Sequence, residues 1–348
     1  MIVVMRSGCT REDVDAISAH LEELGFQTRP IFGVQKTIIG AVGAPDIDKY
    51  GAAEQMRAYD EVEDVHFVGR PYKLVAKEAH PEGTVVDVGG VRIGGDAIVM
   101  MAGPCTVESD EQLMVTAKAV SEAGATVLRG GAYKPSTSPY SFQGMGIPGL
   151  ELLKEAGKRY GLKVVTEVMD PRMVETIAQY ADILQVGARN MQNYDLLKEV
   201  GLSRVPILLK RGFAAKLEEW LLAAEYIAAS GNEKIILCER GIRSFDTFSR
   251  NTLDLAAVPA AKMASHLPVI VDPSQGTGRR DLVGPMSLAA IAAGADGLII
   301  EVHPNPDHAI KDGAQSLKIE QFAGLMPQVR VIAEAMGRSV ATRDSVKV

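Results

Sequence analysis

Apolar positions follow two rhythms along this chain, and the change of rhythm divides it. Within residues 1–70, short alternating runs are interleaved with helical spacing. Ile2–Met5 reads as a strand, and Arg11–Leu24 as an amphipathic helix with Val14, Ile17, Leu21 and Leu24 on one face. Strand-like runs follow near Thr28–Ile31 and Thr37–Val42, then a helix over Lys49–Tyr59 and a last strand over Val65–Val68. The order βαββαβ predicts a ferredoxin-like domain. It holds no cluster of catalytic residue types, so binding or packing is its expected task. Residues 71–95 read as a linker with a short hairpin, Thr84–Asp87 and Val91–Ile93, turning at Gly89-Gly90.

From Ile98 the runs become continuously apolar, as strands buried on both faces require. Eight appear: Ile98–Ala102, Thr126–Arg129, Lys163–Glu167, Ile183–Val186, Ile207–Lys210, Lys234–Cys238, Val269–Val271 and Leu298–Val302. Helical patterns such as Glu111–Ala123, Leu217–Ser230 and Pro285–Ala293 lie between them. Eight such units within residues 96–340 predict an α/β fold, a (β/α)8 TIM barrel. An open doubly wound sheet is the alternative. The missing G-x-G-x-x-G after the first strand speaks against it.

The reactive residue types fall at the C-terminal ends of these strands, the face of a barrel that carries chemistry. Cys105 follows the first strand; Arg129 and Lys134 follow the second. Glu167 ends the third, Gln185 and Arg189 belong to the fourth, and Lys210 and Arg211 end the fifth. Glu239 and Arg240 end the sixth. Asp272, Gln275, Arg279 and Arg280 follow the seventh, and Glu301, His303 and Asp312 close the eighth.

Composition sharpens this placement. The 348 residues carry a formal charge of −7, with 47% hydrophobic and 23% charged residues. That balance is ordinary for a globular protein and argues against a nucleic-acid surface. No apolar run reaches the ~18 residues that span a bilayer, and no basic segment precedes Ile2 to make a secretory leader. The three cysteines, Cys9, Cys105 and Cys238, are far apart, which predicts a reducing, cytoplasmic setting. Against the acidic background, the cations gathered at one barrel mouth predict an anionic ligand bearing phosphate, carboxylate or both.

Leu128–Gly144, LRGGAYKPSTSPYSFQG, has the make-up of a phosphate loop: a strand end, a glycine pair, two cations and a hydroxyl-rich segment. Cys105, Glu301 and Asp312 form a candidate metal set whose mixed softness suits Mn, Fe, Co or Zn. Cys238 lies within a strand and reads as core. His303 alternates with Glu301, which places it as a candidate helper at the site. The other five histidines join no constellation. No Ser-His-Asp arrangement, Walker loop or zinc-finger spacing occurs. A metal beside a phosphate cleft suggests addition of a carbon nucleophile to an aldehyde.

These motifs, namely AGPCTVES, LRGGAYKPSTSPYSFQG, LQVGARN, LLKRG, CERG, VDPSQGTGRRDLV, EVHP and KDGAQSL, together resemble 3-deoxy-D-arabino-heptulosonate 7-phosphate (DAHP) synthases. The likeness is to the Iβ subtype with an N-terminal ferredoxin-like regulatory domain, and it runs over essentially the whole chain. It implies condensation of phosphoenolpyruvate with erythrose 4-phosphate, the first step toward chorismate and the aromatic amino acids. It implies Cys105, Gln275, Glu301 and Asp312 as metal ligands. It places Arg129, Lys134, Gln185, Arg189, Lys210 and Arg240 around phosphoenolpyruvate, with Pro135, Ser136 and Thr137 toward the aldehyde. Glu167 and Lys134 become candidates for proton handling near C2. An aromatic amino acid bound at the N-terminal domain and a homotetramer are further implications.

Two positions depart from the family pattern. Gln275 stands where the family has a metal-binding His, and an amide oxygen is a weaker donor than imidazole. Ser136 stands where the family has an Arg that grips the aldehyde's phosphate; Arg279 or Arg280 is a candidate replacement. In the small domain, Arg29-Pro30-Ile31 takes the place of small polar side chains expected where the effector binds. Altered aldehyde specificity and a non-catalytic metabolite-binding homologue are the alternative readings. The related 3-deoxy-D-manno-octulosonate 8-phosphate synthases are disfavoured by the KPSTSPYSFQG loop and the extra domain.

Overall fold

The computed structural model describes residues 1–33, 36–43, 47–67, 69, 71–134 and 140–342. Pro135, Ser136 and Thr137 lie outside the described residues. The chain forms two compact units, Met1–Pro71 and Tyr72–Val348.

The first unit runs β1 (Ile2–Met5), α1 (Arg11–Glu23), β2 (Gln27–Phe32), β3 (Thr37–Val42), α2 (Lys49–Arg57) and β4 (Val62–His66). Thr10 and Asp13 start α1 by capping each other's backbone N–H groups. The sheet order β2-β3-β1-β4, with antiparallel neighbours, is the ferredoxin-like arrangement. Val14, Ile17 and Leu21 of α1 pack with Val3, Met5, Ile39, Ala53 and Met56 in a core of their own. β4 begins three residues earlier than the alternation predicts. Its register skips between Val4↔Asp64 and Met5↔Val62, so Glu63 is an inserted residue. Such a bulge turns Val62 and Val65 to the same side and hides a strand from a period-two reading.

The second unit opens with a hairpin, β5 (Val86–Val88) and β6 (Val91–Ile93). Gly89 and Gly90 both have positive φ (54° and 96°), as a two-residue hairpin turn requires. The barrel follows: β7 (Ala97–Gly103), α3 (Asp110–Ala123), β8 (Val127–Arg129), α4 (Ile147–Tyr160), β9 (Lys163–Val168), α5 (Val174–Ala178), β10 (Ile183–Val186), α6 (Tyr194–Leu202) and β11 (Ile207–Lys210). It continues through α7 (Leu217–Ala229), β12 (Ile235–Glu239), α8 (Ala257–Ala264), β13 (Val269–Val271), α9 (Pro273–Thr277), α10 (Arg280–Ala292), β14 (Gly297–Glu301), α11 (Ile319–Ala335) and β15 (Ser339–Val340). Strands β7 to β14 pair in parallel in sequence order, and β14 pairs β7, closing the eight-stranded ring.

Alternate residues serve two cores. Val99, Met101, Ile236 and Cys238 face the barrel interior, while Ile98, Met100, Leu237 and Ile235 face the helices. The hairpin is more than a connector. Val86, Val88, Val91 and Ile93 are buried in the interior core, together with Ala341 beyond β15, and they form its floor. Helix α10 starts at Arg280 rather than Pro285, so Pro285 lies within it.

Candidate active site

The strand ends bring a cation-rich pocket and a thiol–carboxylate cluster side by side. The pocket, about 150 Å³, is walled by Lys134, Arg189, Lys210, Arg240, Arg250 and Lys311, with Glu167, Gln185, Gln275 and Asp312 as its other polar members. Lys210 ends β11 and bonds Asp272 at 2.6 Å, with both side chains buried. Asp272 in turn caps α9 by accepting from the Gln275 N–H at 2.8 Å. The backbone start of α9 and a pocket cation are thus fixed by one carboxylate.

Across the pocket, Gln185 of β10 donates to Glu167 of β9 at 3.3 Å. A Cβ at 187 would lie 2.1 Å from Glu167 Oε1, so a side chain there would displace that carboxylate. Phe213 gives the wall an aromatic face. The guanidinium carbons of Arg189, Arg240 and Arg243 stand 5.5, 4.6 and 5.2 Å from its ring centre. Arg240 is buried, and its Nε and Nη1 have no hydrogen-bond partner among the described residues. Burial lowers its pKa, opposed by Asp272. A guanidinium with unused donors in a concave wall is built to meet an anion.

Below this pocket Cys105, Glu301 and Asp312 offer ligand atoms within 4.8 Å of one another. The Cys105 thiol donates to Asp312 Oδ2 at 3.1 Å. Burial pushes that thiol's pKa up, with Glu301 adding to the effect. Asp312 is the sole non-glycine residue with positive φ (54°) among the described residues, and the strained turn aims it inward. Glu301 Oε1 accepts from Arg129 at 2.8 Å and Gln275 Nε2 at 3.2 Å, while Oε2 accepts from Gln315 at 2.6 Å. Burial works against the Arg129 charge, but Glu301 and its neighbours outweigh it and raise the pKa. A thiol and two carboxylates within reach of one point fit a divalent ion of borderline softness.

Several expected residues stand elsewhere. Arg129 bonds Glu301 and the Pro104 carbonyl behind the pocket wall rather than lining it. Gln275 does not turn its amide oxygen to the Cys105 cluster; that oxygen accepts from Lys210 at 3.2 Å and Arg240 at 3.4 Å. His303 is apart from the pocket lining, with Nε2 3.3 Å from Glu108 and Nδ1 accepting from the Asn305 N–H. It lies past the end of β14, where strand alternation no longer governs direction. Arg211 is held by Glu239, Asp254 and the Ala215 carbonyl. Arg279 pairs with Asp281, and Arg280 with Asp307 and the Gly313 carbonyl, so neither supplies the pocket. Arg250 and Lys311, which do line it, were not singled out in the sequence. Their signal was present: Lys311 directly precedes Asp312, and Arg250 lies in the long segment between β12 and α8.

Known proteins resemble this chain over most of its length. The model of the DAHP synthetase I family matches residues 74–335, and that of the DAHP synthase ferredoxin-like domain matches residues 1–69. The phospho-2-dehydro-3-deoxyheptonate aldolase of Thermotoga maritima is 52% identical over 340 residues, 98% of this chain and all of that protein. A crystal structure of Thermotoga maritima phospho-2-dehydro-3-deoxyheptonate aldolase (DAHP synthase) superposes with a TM-score of 0.94 at 51% identity, covering 98% of this chain and 99% of that one. The 2-dehydro-3-deoxyphosphooctonate aldolase of Geobacter sulfurreducens is 32% identical over 271 residues, 71% of this chain and 97% of its own. With both of its units matched and a relative 52% identical along nearly its whole length, the chain belongs to the DAHP synthetase I family.

Proposed function

We infer that this enzyme condenses phosphoenolpyruvate with erythrose 4-phosphate and water, giving DAHP and inorganic phosphate. The observation that carries the reading is the six-cation pocket set directly over the Cys105–Glu301–Asp312 cluster. A substrate bearing both carboxylate and phosphate needs several fixed cations, and Lys134, Arg189, Lys210 and Arg240 provide them. C3 of phosphoenolpyruvate adds to the aldehyde carbon, water adds at C2, and phosphate leaves with cleavage of its C–O bond. Glu167, oriented by Gln185, and Lys134 exchange protons near C2. Burial works against the Lys134 charge, but the nearby carboxylates of Glu167 and Glu301 help to raise its pKa, which keeps the ammonium charged beside its ligand.

Cys105, Glu301 and Asp312 would hold a divalent metal, with Mn, Fe, Co or Zn the candidates by donor type. Such an ion supplies polarisation of the aldehyde carbonyl. Arg250, which also reaches Asp312 at 3.4 Å, and Lys311 are the remaining described cations of the pocket and are assigned to the acceptor's own phosphate, in a chain with Ser136 where the family resemblance implies Arg. That pair favours a phosphorylated over an unphosphorylated aldehyde.

The small domain is proposed to bind an aromatic amino acid and act on the barrel within a homotetramer. The buried, unpaired thiols fit a reducing cytoplasm. Among the described residues no helix is long and apolar enough to cross a membrane. The test is phosphoenolpyruvate loss followed with erythrose 4-phosphate and with unphosphorylated aldehydes, with and without Mn. Turnover with unphosphorylated aldehydes alone would reassign the acceptor. No turnover with any aldehyde would favour the metabolite-binding alternative. Activity unchanged by millimolar tyrosine or phenylalanine would remove the effector reading.

A further inference from the structure

Gln275 lines the pocket and hydrogen-bonds to two of its cations, Lys210 and Arg240, as well as to Glu301 of the cluster. Its backbone is pinned at both ends: the N–H donates to Asp272 at 2.8 Å, and the carbonyl accepts from Asn251 at 2.9 Å. Its side chain has one permitted orientation. Lys210 and Arg240 can only donate, so they demand the amide oxygen; the Glu301 carboxylate accepts, so it demands the amide nitrogen. Turning the amide over would set NH2 against two cations and oxygen against a carboxylate. The oxygen is therefore committed to the anion-binding cations and is withheld from the Cys105 cluster.

We propose that Gln275 is a positioning residue, a neutral bridge that ties Glu301 to Lys210 and Arg240. The metal is then held by three protein donors, Cys105, Glu301 and Asp312. This rests on the metal reading given above. It extends that reading, because it assigns Gln275 to phosphoenolpyruvate binding in the protein without metal. A fourth metal donor would have no such effect. Three protein donors would leave such an ion room for water or substrate, as catalytic metal sites do.

The full-length protein is stripped of metal, and two variants are compared with it, Gln275→Met and Gln275→Ala. Thermal melts establish that each is folded, and either one suffices. Phosphoenolpyruvate is titrated calorimetrically without metal. Cobalt(II) is then titrated and followed by absorption, where the thiolate band reports Cys105 and the visible bands report donor number. The expected result is phosphoenolpyruvate affinity weaker by about tenfold or more, from the loss of a hydrogen bond to charged groups. Cobalt bands should keep their positions, with cobalt affinity reduced by no more than about tenfold through loosening of Glu301. Unchanged phosphoenolpyruvate affinity overturns the bridge, and so do shifted visible bands, which would make Gln275 a donor. Cys105→Ala separates the two claims. If it leaves cobalt affinity intact, the metal reading itself falls, and the three-donor assignment with it.

Discussion

Arg240 illustrates how individual side chains divide between folding and chemistry. It is buried, stacked on Phe213 and bonded only through Nη2 to Gln275, with its other donors idle among the described residues. A buried cation without full pairing costs stability and is kept for its ligand. Arg240→Met should therefore raise the melting temperature of the ligand-free protein. It should also raise the KM for phosphoenolpyruvate about 10- to 100-fold, the equivalent of ~1.5–3 kcal/mol for a lost hydrogen bond to a charged group. Both are read from one preparation, by calorimetry and steady-state kinetics. At Gln275 the expectation runs the other way for metal: Gln275→His adds an imidazole donor and should tighten Mn or Co binding in a direct titration. Equal affinity would show that the side chain at 275 does not reach the ion. Strand-end placement made most of this site legible in the sequence. What it left out was direction. Arg211, Arg279 and Arg280 have the right address, but nearby acids absorb them, and the Arg279–Asp281 pair is two residues apart. The sense of the Gln275 amide depends on partners from three different strand ends, which no local pattern encodes.

Elements were legible where one rhythm held throughout. β10, β11 and β13 lie where the apolar runs placed them, because strands buried on both faces have no alternation to misread. β4 was displaced, since the bulge at Glu63 breaks the period that reveals a strand. The tight contact between β7 and β8 gives an element-scale prediction. A Cβ on Gly103 would sit 2.1 Å from the Arg129 carbonyl oxygen. Gly103→Ala should thus cost about 1–3 kcal/mol in urea unfolding, as overpacking does. A second prediction concerns His266, just before β13. Its Nδ1 lies 2.7 Å from the Thr84 hydroxyl and its Nε2 2.7 Å from the Leu74 carbonyl, fastening the segment ahead of the hairpin to the barrel. Burial lowers its pKa from 6.5, so the unfolded chain protonates first. Its contribution to stability is present above that value and is lost as pH falls from it toward the lowered folded value. His266→Gln should flatten the melting temperature against pH in that window; an unchanged slope would assign the acid sensitivity to other groups.

At the scale of the molecule, the core of the small unit shares no residue with either core of the barrel unit. Residues 72–348 expressed alone should melt cooperatively and condense phosphoenolpyruvate with erythrose 4-phosphate, while losing any response to tyrosine or phenylalanine. Failure of that fragment to fold would show that the barrel depends on the small domain. The eight-fold repeat was readable from rhythm alone, whereas the barrel's floor was not. A hairpin of six strand residues looks like a connector until the cavity it fills is known. That floor sets an order on biosynthesis. Its first half, Val86–Ile93, leaves the ribosome before any barrel strand, and its last piece, Ala341 just past β15, emerges after all of them. β7 likewise waits for β14. The nascent barrel must therefore hold its two ends unsealed through most of its own translation. Interior residues such as Met101 and Ile236 stay open to water and to chaperones until nearly the whole unit has been made.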